Sequence, residues 1–138
     1  MDNQQATHDF ILGYVCAFLD GEGTIGCYKS TREGGLNYYT PTVKMFNTDL
    51  KLIDRLANYL RILEIPFFIH KSSPRSHNIK YAPCYSISIA GVKRVKRALE
   101  KLEPYLCGKR KQAKILLEIC DSRLATPMTL GNQNRQWT

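Results

Sequence analysis

Acidic residues, cysteine pairs and long apolar runs are all scarce in this sequence of 138 residues. Twelve Asp and Glu stand against twenty Lys and Arg, which leaves a net charge of +8. We therefore expect a polyanionic partner, and nucleic acid is favoured over a membrane because the cations are spread along the chain. The five cysteines include no C-x-x-C pair, which argues against a closed zinc site and a full disulfide framework.

Other signatures are missing as well. The longest apolar run, Phe10 to Leu19, is about half a membrane span, and the chain contains no H-E-x-x-H, P-loop or G-x-S-x-G motif. These absences predict a protein of the cytoplasm, or of another reducing intracellular compartment such as the nucleoid or an organelle matrix. They also predict no membrane contact and no small-molecule substrate.

Hydrophobic periodicity predicts the element order α-ββ-α-ββ-α-α. The first helix is predicted to start at a cap on Thr7 or Asp9 and to run to about Asp20. A hairpin then covers 24–47, with a turn at 33–35, and a second hairpin has strands at 67–72 and 81–89. This order predicts one α+β domain over 1–124, with a four-stranded antiparallel sheet and helices on one face, followed by an irregular tail at 125–138.

Polar residues alternate with apolar ones along all four predicted strands. For one strand, ordinary solvation of the outer face is the better explanation, but agreement among four strands favours a basic, ligand-binding face. A two-stranded ribbon fits the major groove of DNA. The candidate DNA-binding residues of this face and its loops are Tyr28, Ser30, Arg32, Tyr38, Thr40, Thr42, Lys44, His70, Lys71, Ser72, Arg75, Lys80 and Ser86.

The first helix carries a stripe of small residues, Gly13, Ala17 and Gly21, that ends beside two acids. The stripe can pack against another helix of the same chain or against the same stripe of a second copy about a two-fold axis. In the second case two copies of Glu22 would meet, and their repulsion would require cations such as Mg²⁺, which also binds phosphate oxygens. The alternative for Asp20 and Glu22 is a helix-ending turn with solvated acids.

The stretch VCAFLDGEG, residues 15–23, resembles the LAGLIDADG motif of homing endonucleases, and the order of elements up to about residue 124 is similar as well. A chain of this length with one motif resembles the homodimeric class, whose sheet is saddle-shaped and whose motif helix lies at the two-fold interface. The resemblance implies an interface that includes Gly13, Cys16, Ala17 and Asp20.

The resemblance also implies roles for individual residues. Glu22 would be a metal ligand together with the Gly21 carbonyl, and Asp20 a helix-end group. Asn47 would position water, although the family more often has Gln there, and Lys109 would be the active-site lysine. Lys51 and Lys111 are weaker candidates for phosphate contacts. The expected cofactor is Mg²⁺, with Mn²⁺ as a substitute and Ca²⁺ supporting binding without cleavage.

The resemblance, taken with these features, implies a homodimeric, intron-encoded homing endonuclease. It would make a Mg²⁺-dependent double-strand break in a long, pseudo-palindromic DNA target and leave short 3′ overhangs. The alternative is a non-cleaving nucleic-acid binder of the same fold, such as an intron RNA maturase. A generic basic α+β protein is disfavoured because the small-residue stripe is joined to an acidic turn.

Overall fold

The predicted order of elements is confirmed by a computed structural model, which describes residues 3–31, 34–35, 37–72 and 83–126. The helices are α1 (Asn3–Glu22), α2 (Leu50–Ile62), α3 (Val92–Leu102) and α4 (Arg110–Ala125), with a short 3-10 turn at Glu103–Tyr105. The strands are β1 (Gly23–Thr31), β2 (Asn37–Asn47), β3 (Phe68–Ser72) and β4 (Cys84–Ala90). Among the described helices, none combines the length and the apolarity needed to cross a membrane.

The four strands form one antiparallel sheet in the order β1-β2-β4-β3. Residues that lie directly opposite each other in such a sheet share a face, and Gly23 pairs with Met45 while Val43 pairs with Ile89. One face therefore carries the odd-numbered residues of all four strands. The even-numbered residues form the other face, which we call the polar face.

The core lies between the odd-numbered face and the helices. The sheet contributes Val43, Met45, Ile87 and Ile89, all fully buried, and each helix adds an apolar stripe at helical spacing. Burial of one such side chain contributes about 1.5–3 kcal/mol relative to exposure. Since only one face of the sheet is covered, the polar face stays open to a ligand. The fully or nearly fully buried helical residues include Val15, Leu19, Ile53, Leu56, Leu60, Val95, Leu99, Leu102, Ala113 and Leu116.

Helix α1 differs from its prediction at both ends. It begins at Asn3, the Thr7 hydroxyl donates to the Asn3 carbonyl oxygen at 2.8 Å, and the Gln5 amide donates to Asp9 at 2.9 Å. Thr7 and Asp9 are thus interior residues, and the predicted cap was wrong. The helix also continues two residues past the predicted end, through Glu22.

The other helix limits follow local chemistry more closely. Asp49 is the N-cap of α2, where its carboxylate accepts from the Lys51 backbone N–H at 2.9 Å. Gly91, with φ of 104°, turns the chain from β4 into α3. Helix α4 ends at Ala125, one residue past the predicted domain limit, and residues 127–138 of the predicted tail lie outside the described residues.

Candidate nucleic-acid interface and active site

The polar face is rich in hydroxyl groups and aromatic rings but poor in charge. Among its described residues, Lys44 is the one Lys or Arg, so the prediction of a basic sheet surface was wrong for this part of the chain. Most of the cations lie on the helices and in loops. The predicted DNA-binding residues that do lie exposed or half-buried on the polar face are Tyr28, Ser30, Tyr38, Thr40, Lys44, His70, Ser72 and Ser86.

Two of these side chains, Tyr28 and Lys44, contact each other, and Tyr28 also contacts Thr24 on the same face. The Tyr28 hydroxyl lies 2.8 Å from the Thr24 hydroxyl, and the Lys44 ammonium lies 4.9 Å from the centroid of the Tyr28 ring. Thr24 is directly opposite Lys44 in the sheet. A cation held over a ring loses little further freedom when it binds a base edge or a phosphate. Thr24 was not predicted from the sequence, because its partner Tyr28 is four positions away on an extended strand, a spacing that does not suggest a contact.

Two predicted interface residues are not where the sequence placed them. Thr42 belongs to the polar face but is only 5% exposed, and its hydroxyl donates to the Thr40 carbonyl oxygen at 3.1 Å. Lys71 pairs with Tyr85 on the odd-numbered face, whereas His70 pairs with Ser86 on the polar face. Adjacent strand residues point to opposite faces, so Lys71 does not share a surface with His70. The predicted contacts Arg32, Arg75 and Lys80 lie outside the described residues.

The turn from α1 into β1 has no connecting loop. A Cβ on Gly23 would lie 2.5 Å from Leu19 Cδ1, 2.7 Å from the Leu19 carbonyl oxygen and 2.9 Å from the Lys44 carbonyl oxygen. Only glycine fits, because two of these neighbours are backbone atoms. The close approach places the exposed Glu22 at the last position of α1, one residue before the sheet begins. Within the described part of the chain, its carboxylate makes no hydrogen bond or ion pair.

The neighbouring acid has a different environment. The two carboxylate oxygens of Asp20 accept from the backbone N–H groups of Cys107 and Lys109, each at 2.9 Å. The Lys109 ammonium in turn donates to the Asp20 carbonyl oxygen. Asp20 therefore joins the end of α1 to the start of α4, and the same contacts hold the lysine beside the α1–β1 junction. Both oxygens of its carboxylate are engaged, which leaves Glu22 as the free acid of the pair.

The remaining predicted site residues are spread around this junction. Asn47 ends β2, and its side-chain oxygen accepts from the Asp49 backbone N–H at 2.8 Å. Lys51 and Lys111 lie exposed in the first turns of α2 and α4. The structure thus brings Asp20, Gly21, Glu22 and Lys109 together at one junction, while Asn47 is used to shape the entry to α2.

Several solved structures share this architecture. The homing endonuclease I-CvuI, in complex with a DNA target in the presence of Mg, aligns over 87% of this chain and 71% of its own with a TM-score of 0.66 and 22% identity. The group I intron-encoded I-CeuI, complexed with DNA, aligns over 83% of this chain and 56% of its own, with a TM-score of 0.59 and 13% identity. The LAGLIDADG homing endonuclease I-GzeII, in complex with its DNA target, aligns over 83% and 38%, with a TM-score of 0.59 and 15% identity.

The chain has the LAGLIDADG homing endonuclease fold. At these identities the likeness concerns the fold, which includes the sheet of four antiparallel strands and the motif helix α1. No protein-family model and no curated protein matches the sequence.

In the LAGLIDADG fold of this chain, the small-residue stripe of α1 is open. Gly13, Ala17 and Gly21 are exposed, and a Cβ added to Gly13 or Gly21 would meet no atom within 4 Å. Within the described residues, therefore, no other helix packs against the stripe. Phe10 borders the stripe and is 60% exposed. The stripe remains available to a partner molecule.

Cys16 does not belong to that open side. It is 1% exposed, and its thiol donates to the Leu102 carbonyl oxygen at 3.3 Å. Burial, followed by the negative charge of Asp20, raises the pKa of the Cys16 thiol to about 12. The prediction that Cys16 lies at a dimer interface was wrong, because one residue of helix rotation, about 100°, turns it from the stripe into the core.

The donor set at the junction fits a hard divalent cation only in part. Glu22 offers a free carboxylate, and the Gly21 carbonyl lies in the last turn of α1, where no later helical N–H can pair with it. Mg²⁺ is commonly bound by one or two carboxylates together with waters and substrate phosphates. Within the part of the chain that the structure describes, no three His, Cys, Asp or Glu residues converge as a metal site. A divalent cation held at the junction would therefore need further ligands from outside the described residues.

Proposed function

We propose that the protein is a homodimeric, metal-dependent homing endonuclease. It makes a double-strand break in a long, pseudo-palindromic DNA target, leaves short 3′ overhangs, and acts in intron homing. The observation that carries the proposal is the free, exposed Glu22 at the α1–β1 junction, next to a lysine that Asp20 holds in place. A protein that only binds nucleic acid has no need of this combination.

The proposed site uses each group of the junction for a separate task. Mg²⁺, when bound, supplies Lewis-acid stabilisation of phosphate charge and a more acidic water, and Mn²⁺ can replace it, while Ca²⁺ supports binding without cleavage. Glu22 and the Gly21 carbonyl provide its protein ligands. The Lys109 ammonium, anchored by one donor on the Asp20 carbonyl oxygen, keeps its other donors for a phosphate oxygen.

Asn47 has a narrower role than a free amide would have. Its side-chain oxygen accepts one hydrogen bond, from the Asp49 N–H, which leaves its NH₂ group and one oxygen lone pair to orient a water near the junction. This arrangement supports a positioning role for Asn47 and makes it the least essential of the proposed site residues.

The open stripe and the incomplete ligand set support the proposed dimer. Two copies that pack through Gly13, Ala17 and Gly21 would bring two junctions together, because Glu22 follows the stripe directly. This chain also aligns with only 38% of I-GzeII, which is a chain long enough for two such units. The polar faces of the two copies would then lie side by side along one DNA duplex.

The test uses the joined sequences that flank the gene's insertion site as the candidate target. We expect the wild type to cut this DNA in Mg²⁺, and Glu22→Gln to cut at least about a thousandfold more slowly, since a metal ligand is lost. Binding of Glu22→Gln in Ca²⁺ should remain salt-dependent and close to that of the wild type. Glu118→Gln, an exposed acid on α4, is the matched control and should cut normally.

Two outcomes would contradict the proposal. If Glu22→Gln cuts at the wild-type rate, the junction is not the catalytic site. If the wild type binds the intron RNA and never cleaves the DNA in Mg²⁺ or Mn²⁺, the alternative of a non-cleaving maturase replaces the endonuclease.

A further inference from the structure

The β1–β2 hairpin extends beyond the rest of the sheet. Strand β1 pairs with β2 from Gly23 to Thr31, whereas β4 pairs with β2 only from Thr42 onward. Residues 27–31 and 37–41 therefore form a two-stranded ribbon without a third strand among the described residues, which we call the distal ribbon. Because a two-stranded hairpin is marginally stable by itself, contacts with the rest of the chain decide how firmly this ribbon is held.

The distal ribbon carries much of the proposed DNA-reading surface. Tyr28, Ser30, Tyr38 and Thr40 all lie on its polar face. The helices do not cover the outer part of its other face, since residues 29, 31, 37 and 39 are exposed. The ribbon that we propose to read DNA thus has little cover on either face.

One edge of β2 is unpaired along the distal ribbon. In an antiparallel pair, the N–H and C=O of one residue point to the same edge, and the direction alternates from residue to residue. The Pro41 carbonyl accepts from the Gly91 N–H at 3.0 Å, immediately after β4 ends, so Pro41 points towards the side of β4. Tyr39, two residues earlier, points the same way, beyond the last residue of β4 that pairs with β2.

Arg123 binds the backbone at this edge. It lies half-buried in the last turn of α4, and its guanidinium donates to the Tyr39 carbonyl oxygen. The other end of α4 is held at the α1–β1 junction, where Asp20 accepts from the Lys109 N–H. Between these two ends, α4 buries one side in the core. Helix α4 therefore connects the proposed active site to the distal ribbon, with a hydrogen bond at each end.

We propose that Arg123 is a positioning residue that holds the distal ribbon in place for recognition of the DNA target. This inference rests on the proposed function. A ribbon that is already held against α4 loses less freedom when DNA binds. Without the Arg123 contact the ribbon would change its angle more easily, and its polar face would bind the outer base pairs of the target less tightly and less selectively. The junction, at the far end of α4, would be unaffected.

The first measurement follows amide hydrogen exchange in the protein without DNA. Arg123→Met replaces the guanidinium with an apolar side chain that has no donor. We expect the amides of the distal ribbon to exchange about tenfold faster in this variant, which is the effect of losing one hydrogen bond to a charged group. The amides of Ile87 and Ile89, in the middle of the sheet, should be unchanged. Arg123→Lys keeps a charged donor and should restore most of the protection.

The second measurement uses the joined sequences that flank the gene's insertion site as the target, with and without substitutions at the outer base pairs. In Ca²⁺, Arg123→Met should bind the intact target about tenfold more weakly and should discriminate less against the outer substitutions. Its cleavage rate at saturating protein concentration in Mg²⁺ should equal that of the wild type, a combination that loss of the fold would not produce. Arg55→Met removes an exposed cation from α2 and is the matched control, which should behave as the wild type in both assays.

The proposal is overturned if the amides of the distal ribbon exchange at the same rate in the wild type and in Arg123→Met, or if they exchange faster without any loss of target binding. It is also overturned if Arg55→Met weakens binding as much as Arg123→Met does, because the loss would then reflect net charge. A wild type that binds no duplex DNA would refute both the proposed function and the role of Arg123 in recognition, while faster exchange in Arg123→Met would still show that Arg123 holds the ribbon.

Discussion

The substitution Asp20→Asn tests whether Asp20 stabilises the fold, in contrast to Glu22, the proposed metal ligand. Asp20 accepts two backbone N–H groups, from Cys107 and Lys109, at 2.9 Å each. Asparagine has one acceptor oxygen, and its NH₂ group would face the second N–H donor. A hydrogen bond to a charged acceptor contributes about 1.5–3 kcal/mol, and because these bonds are partly solvent-exposed the lower end applies. We expect Asp20→Asn to lower the free energy of unfolding by about 1.5–2 kcal/mol.

Urea unfolding at a fixed protein concentration measures this change, since a dimer's stability depends on concentration. Glu22→Gln is the matched control, because that carboxylate is exposed and makes no hydrogen bond or ion pair within the described residues. Its stability should stay within about 0.5 kcal/mol of the wild type, although its cutting activity should be lost. Equal stability of the two variants would refute the assignment of Asp20 as the acid that joins α1 to α4.

Glycine replacements test the junction and the open stripe. Gly23→Ala should destabilise the fold by more than about 2 kcal/mol or prevent folding, since its Cβ would lie 2.7 Å from the Leu19 carbonyl oxygen. The control Gly26→Ala should be nearly neutral, because the added Cβ would meet no atom within 4 Å. Equal shifts of the melting temperature in the two variants would contradict this account. Gly13→Leu should leave the chain folded but convert the proposed dimer to monomers, as measured by light scattering. Ser122→Leu, at an exposed position of α4, is the control and should not change the oligomeric state. A Gly13→Leu protein that remains a dimer would exclude the stripe as the interface.

Helices and strands were predictable from the sequence where their apolar residues recur at a regular spacing. Alternation along both hairpins and the apolar stripe of α2 predicted the sheet and the helices that cover it. The start of α1 was not predictable in this way, because its first residues are polar and have no period, and Asp9 resembles a cap although it pairs with Gln5 inside the helix. The face of Lys71 was equally hidden, since all five residues of β3 are exposed.

The site was predictable in its parts but not in its connections. The motif pointed to Asp20, Glu22 and Lys109, yet the contact between Asp20 and the backbone of Cys107 and Lys109 joins residues almost ninety positions apart. No local pattern encodes such a contact. The uneven distribution of charge was hidden for a similar reason, because the net charge of a sequence does not say which surface carries it.

Helix α1 passes directly into β1 at Glu22 and Gly23, so the distance from Glu22 to each residue of β1 is fixed. A strand advances about 3.3 Å per residue, so Tyr28, six residues after Glu22, lies about 20 Å from the proposed metal ligand along β1. In a duplex with a rise of about 3.4 Å per base pair, that distance corresponds to roughly six pairs. Because Gly23 leaves no room for an added residue or side chain at this turn, the residues of β1 would lie at fixed distances from the phosphate that is cut. Each side chain of β1 that reads a base would then lie at a constant distance from the break.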